Sequence, residues 1–110
     1  MAMPTQGVID EQGQWELPIP VSDRVASYLI QFESESFNGS VTIKGAALDT
    51  GEDFTPLALA YKKMTTGLNA TAAITGNALV LVDSAGVGIS LACTSYVGGE
   101  MRFKAVPMIG

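Results

Sequence analysis

Apolar side chains recur at every second position in several short stretches of this chain, and turn-forming residues separate the stretches. Tyr28, Ile30 and Phe32 share one face, while Ser27, Leu29, Gln31 and Glu33 share the other, which is the period-two alternation of a half-buried strand. Glu35-Ser36-Phe37-Asn38-Gly39 reads as a turn. Val41 and Ile43 against Thr42 and Lys44 then read as the partner strand of a hairpin whose register is set by Asn38-Gly39, two residues that accept positive φ. From Gly76 to Pro107 come three further apolar runs, residues 79–82, 89–93 and 101–106. Asp83-Ser84-Ala85-Gly86 and Ser95-Tyr96-Val97-Gly98-Gly99 divide them, and Pro107 ends the last, which predicts an antiparallel meander.

The middle of the chain is less regular. Leu57, Leu59 and Tyr61 fit one face of a short strand or a turn and a half of helix. Residues 62–75 are read as two strands with a turn over Met64 to Leu68, with Leu68 and Ile74 as the buried points. At the start of the chain Pro4, Gly7, Gly13, Pro18 and Pro20 break any helix, and Trp15, Leu17 and Ile19 alternate with Glu16 and Pro18 as in an edge strand. Such a segment either covers the protein's own sheet or crosses onto a neighbouring subunit and anchors there through Trp15. The whole pattern predicts an all-β protein, an antiparallel, jelly-roll-like β-sandwich of about 7–9 short strands. Residues 1–20 form an extended N-terminal arm and residues 21–110 the sandwich in this reading.

Composition narrows the function more than it narrows the fold. A chain of 110 residues is one domain and can bury a core without staples. Charged residues make up 15% of it, against about 25% in a typical soluble domain, which leaves much of the surface neutral, small or apolar and suits either packing against neighbours or a single compact sandwich rich in Ser, Thr and Gly. Six basic and eleven acidic residues give a net charge of −5, and the basic ones form no long run, so a nucleic-acid partner is not expected. No stretch approaches the ~18 apolar residues of a membrane span, and residues 1–20 lack the basic-then-apolar order of a signal peptide. Histidine is absent and Cys93 is the single cysteine, which removes an internal disulfide, the usual acid/base group at neutral pH and a nucleophile with its base.

The remaining candidate chemistry is thin. Asp49, Glu52 and Asp53 around Gly51 lack the spacing of a calcium loop and read as a solvated turn. Glu33 and Glu35 lie on one strand face with no cleft implied, and Gly86 and Gly88 lead into a strand where a phosphate loop needs a helix. No catalysis, metal or cofactor is expected. Tyr28, Phe32 and Phe103 are assigned to the core by alternation. Trp15, Phe37, Phe54 and Tyr96 fall in the arm or in turns, and with Leu17 and Ile19 they are the candidate partner interface, since large aromatics dominate the energetics of interfaces they reach.

Two segments carry a family resemblance. One is Phe37-Asn38-Gly39-Ser40-Val41-Thr42-Ile43-Lys44-Gly45, followed after an acidic turn by Phe54-Thr55-Pro56-Leu57. The other is Ala85-Gly86-Val87-Gly88-Ile89-Ser90-Leu91 with Thr94-Ser95-Tyr96-Val97-Gly98-Gly99-Glu100-Met101 and a last alternating strand. Together they resemble, over roughly residues 37–106, the small all-β virion proteins of tailed bacteriophages, the capsid decoration, cement and head-fibre type. The resemblance implies a structural protein that binds the outside of a capsid and cements the shell, with the major capsid protein as partner. It further implies a homo-oligomer, a trimer by preference, located on the virion surface after assembly in the host cytoplasm. A tail or fibre module that binds a host-surface glycan is the alternative.

Overall fold

The computed structural model describes residues 5–17, 25–47, 57–83 and 87–109, and these form ten strands and no helix. They are β1 (Thr5–Ile9), β2 (Gly13–Glu16), β3 (Val25–Glu33), β4 (Asn38–Ala47), β5 (Leu57–Ala58), β6 (Tyr61–Lys63), β7 (Asn69–Ala70), β8 (Ala78–Asp83), β9 (Val87–Gly98) and β10 (Met101–Ile109). Two antiparallel sheets result, a larger one ordered β1-β10-β3-β8-β6-β7 and a smaller one ordered β2-β9-β4-β5. Setting aside the β6–β7 hairpin added outside β8, this is the strand order of a jelly roll: four facing four, with successive strands passing between the sheets except at β4 and β5, which pair within the smaller one.

That topology corrects two expectations of pairing. Residues 34–37 do not close a hairpin between β3 and β4, because β3 lies in the larger sheet and β4 in the smaller one, and Asn38 and Gly39 belong to β4 itself. Nor do β8, β9 and β10 form a meander. The middle one sits in the opposite sheet, and β3 stands between the other two. Short connections here change sheets, while partners come from far along the chain, as Thr5 opposite Ala105 and Gly13 opposite Cys93 show.

Within the strands the alternation holds. Tyr28, Ile30 and Phe32 of β3, Val80 and Val82 of β8, and Met101, Phe103 and Ala105 of β10 are buried from the larger sheet. Val41 and Ile43 of β4 and Ile89, Leu91 and Cys93 of β9 meet them from the smaller one. Each such side chain contributes about 1.5–3 kcal/mol by leaving water, and β-branched and aromatic residues fit the pleated surface. β10 runs two residues past Pro107, beyond the end expected for it. Pro107 lies opposite Tyr28, and a register shift follows between Met108 and Ile109.

The first residues are woven into both sheets. β1 forms the edge of the larger sheet beside β10, and β2 forms the edge of the smaller sheet beside β9, with Ile9 and Leu17 fully or nearly buried in the common core. The opposite side of the sandwich is closed by the chain crossing from β5 to β6. Leu59 N–H donates to Ile43 O at 2.9 Å, and Ile74 and Val41 exchange both backbone hydrogen bonds at 2.7 and 2.9 Å. The buried Tyr61 pins this crossing by donating its hydroxyl to Ala72 O at 2.6 Å. The turn at 64–68 is where the sequence places it, but Leu68 projects to solvent, and only Ile74 of the two expected anchors is buried.

Burial pushes the Tyr28 and Tyr61 phenols above their ordinary value of 10.0. It also pushes the Cys93 thiol above 9.0, against the opposing effect of its contact with Ser95 O. These groups therefore hold their protons more tightly folded than unfolded. Their contribution to stability is whole below pH 9 and is lost as pH rises through the raised folded values. Urea midpoints measured from pH 7 to 11 should stay flat up to the thiol's ordinary value of 9.0 and fall as pH rises beyond it.

Candidate partner surface

The turns 10–12 and 98–100 and the loop 34–37 open at one end of the sandwich, because Ile9 pairs with Met101 and Arg102 with Glu33. This end is stiff. Ser34 N–H donates to Asn77 Oδ1 at 2.7 Å, Ser34 Oγ donates to Glu100 O at 2.9 Å and accepts from Phe37 N–H at 2.7 Å. Gly99 takes a positive φ of 79°, and a Cβ there would lie 2.1 Å from Ser36 O. Gly39 makes a similar approach, since a Cβ would lie 2.4 Å from Ser95 O.

Phe37 and Tyr96 meet on this frame with ring centroids 6.3 Å apart and planes tilted by 50°. The Tyr96 hydroxyl donates to Gly99 O at 2.8 Å, tying the ring to the turn. Both rings are half-buried and pack on the core, as does Trp15, which lies opposite Leu91 at the edge of the smaller sheet. Leu17 is a core residue with its N–H on Ile89 O at 2.9 Å. Of the six candidate interface residues, Phe37 and Tyr96 are thus brought together, while Trp15 and Leu17 lie along the opposite edge pairing of β2 with β9. Ile19 and Phe54 lie outside the described residues, as do Asp49, Glu52 and Asp53.

Tyr96 is not in a turn. β9 continues to Gly98 and bulges twice against β4, where Val97 and Thr94 have no partner across the ladder, and Val97, next to Tyr96, is 73% exposed. Val97 is the residue at this end that sequence reasoning missed, because it stood in a presumed glycine-rich turn. Leu57, Met64 and Leu68 are likewise exposed, along the β5 to β7 side. Around the aromatic end stand Asp10, Glu11, Glu35 and Glu100, all exposed, with Glu33 ion-paired to Arg102. Among the described residues no group of three or more side chains is placed to hold a metal ion.

The outer face of the larger sheet carries a shallow depression of about 440 Å³. Two cross-strand rows line it, Gln6-Lys104-Gln31 and Val8-Arg102-Glu33. It is open and mostly apolar in its lining, with polar groups supplied by Gln6, Gln31, Glu33, Arg102 and Lys104.

No protein-family model and no curated protein matches the chain. A solved structure does match: the crystal structure of the SPBc2 prophage-derived protein YomS superposes over 98% of this chain and 97% of that one, with a TM-score of 0.60. The neighbour is a prophage protein. At 14% identity the likeness extends to the fold, and it includes both N-terminal edge strands within its near-complete coverage.

Proposed function

We propose that this chain is a structural protein of a bacteriophage particle, which binds the outside of the capsid shell and cements it through protein–protein contacts. The observation that carries the reading is the end-to-end agreement of the fold with a prophage-derived protein. The single thiol is buried and its pKa is raised, which disfavours it as a nucleophile. The docking element in this reading is the hydrogen-bonded loop end, with the exposed Val97 next to Tyr96 of the Phe37–Tyr96 pair. A preorganised apolar knob binds without the cost of ordering a mobile loop. The major capsid protein is the partner, and the protein acts on the virion surface.

Co-sedimentation of purified protein with shells that lack it tests this. Wild type should pellet with the shells, and Val97→Lys, which alters an exposed residue and leaves the core alone, should weaken binding by about tenfold or more. Equal binding by both proteins would remove the loop end from the contact, and no binding by wild type would refute the cement role. A second reading, a tail or fibre module that takes a host glycan, draws on the open depression, where amides and charges among a mostly apolar lining suit sugar hydroxyls. Binding on a glycan array that is lost in Lys104→Ala would favour it over cementing.

A further inference from the structure

Three strands of the larger sheet break the alternation that a solvated outer face calls for. A strand with one face in the core and one in water carries apolar and polar residues in turn, whereas a strand covered on both faces reads as an unbroken apolar run. β8 contains Ala78-Leu79-Val80-Leu81-Val82, β10 contains Ala105-Val106-Pro107-Met108-Ile109, and β3 contains Tyr28-Leu29-Ile30. Val80, Val82, Ala105, Tyr28 and Ile30 are the core members of these runs. Leu79, Leu81, Val106 and Leu29 therefore lie on the outer face, where all four are half-buried.

The register gathers them into one group with a basic rim. Val106, Leu29 and Leu81 lie opposite one another on three adjacent strands, and Leu79 stands two residues along β8, opposite Gln31. Lys62 of β6 continues the row beyond Leu81, and Lys104 of β10 stands two residues from Val106, opposite Gln31 on the other side. The two exposed lysines are thus three strand spacings and one two-residue step apart, roughly 16 Å between backbones, with the apolar group between them. Among the described residues the carboxylates of this face are Glu33, ion-paired to Arg102, and Asp83, at the level of Ser27. β3 is paired on both sides over residues 27–32, so no strand can add there and a partner meets the face through side chains. A second copy turned face to face about a two-fold axis would set lysine against lysine. A bilayer takes apolar groups that reach several ångströms into it, and these four lie half-buried among their neighbours.

We propose that the outer face of the larger sheet is a second protein-docking surface, which takes a partner patch whose apolar centre covers Leu29, Leu79, Leu81 and Val106 and whose carboxylates meet Lys62 and Lys104. This contact rests on the reading of the chain as a cement protein, and the acidic patch belongs to the shell. The face runs on from the loop end along β3 and β10, from Glu33 and Arg102 to Leu29 and Val106, so it is continuous with the docking element at that end. Burial of the apolar group supplies the water-excluding centre, and the lysines set the register.

The test is co-sedimentation of the full chain with shells that lack it, in low and in high salt, using two double variants. Leu29→Thr with Leu81→Thr removes apolar bulk from the face and keeps residues suited to strands. Lys62→Glu with Lys104→Glu reverses charge at two exposed positions and keeps the test open if the first pair loses stability, which thermal melts report. Each pair should bind at least about tenfold more weakly than wild type, and the deficit of the charge pair should shrink in high salt. Binding by both pairs equal to that of wild type would overturn this contact and leave the cement role standing, whereas no binding by wild type would overturn both. Sedimentation velocity of the free protein and flotation with phosphatidylglycerol–phosphatidylcholine vesicles cover the other occupants. Self-association or vesicle binding that Leu29→Thr with Leu81→Thr abolishes, while shell binding stays, would give the face to a second copy or to lipid and overturn the proposal.

Discussion

A chain lacking its first 17 residues should fail to fold. The truncation removes both edge strands, β1 and β2, and with them Ile9 and Leu17, two side chains buried in the shared core. Deleting a buried aliphatic side chain commonly costs about 2–5 kcal/mol, and a domain of this size has only about 5–15 kcal/mol in all. The loss also strips β10 and β9 of their outer hydrogen-bonding partners and exposes new sheet edges to aggregation. Calorimetry should show no cooperative transition for the truncated chain. Ile9→Ala, which keeps the strands, should retain a transition with stability reduced by about 2–5 kcal/mol. A truncated chain with the wild-type melting temperature would mean that residues 1–17 are not part of the sandwich.

Replacing Gly99 by alanine should be the most damaging change of a single exposed residue. Two independent costs coincide there: φ is 79°, where a Cβ is strained, and the Cβ would stand 2.1 Å from Ser36 O and 2.9 Å from Phe37 Cα, which are backbone atoms held by the Ser34 network. The β9–β10 turn and the loop 34–37 must separate to admit it. A loss of about 3 kcal/mol or more is expected, with a fall in melting temperature of roughly 10–20 °C. Gly67 provides the comparison, since its φ is 75° but nothing lies within 4 Å of a Cβ. Gly67→Ala should cost only about 1 kcal/mol, the backbone part alone. Equal effects at the two positions would show that the close approach at Gly99 is not maintained in solution.

The side-chain alternation was legible because it depends on neighbours two residues apart: Tyr28, Ile30 and Phe32, Val41 and Ile43, and Ile89, Leu91 and Cys93 are all buried as the pattern requires. Pairing was not legible. Turn residues report that the chain changes direction, but a jelly roll uses the same short turns to change sheets, so Phe37-Asn38-Gly39 resembled a hairpin where the chain crosses from β3 to β4. The burial of Leu17 and the exposure of Leu68 follow from that long-range pairing: one lies against Ile89 and the other on a hairpin that overhangs the sheet edge. At the loop end, Phe37 and Tyr96 were identifiable as aromatics outside regular alternation. Their meeting, and the exposure of Val97 next to Tyr96, accompany the unpaired residues Thr94 and Val97 of β9, which leave no mark in the sequence.

The most direct test of the structural role is the copy number of this protein in purified phage particles, measured by quantitative mass spectrometry against the major capsid protein. A cement protein occupies equivalent sites, so the account predicts a fixed, integral relation to the shell protein that survives high-salt washing of full heads and is lost from tails separated from them. Absence from the particle, or a copy number that follows the tails and not the heads, would contradict it.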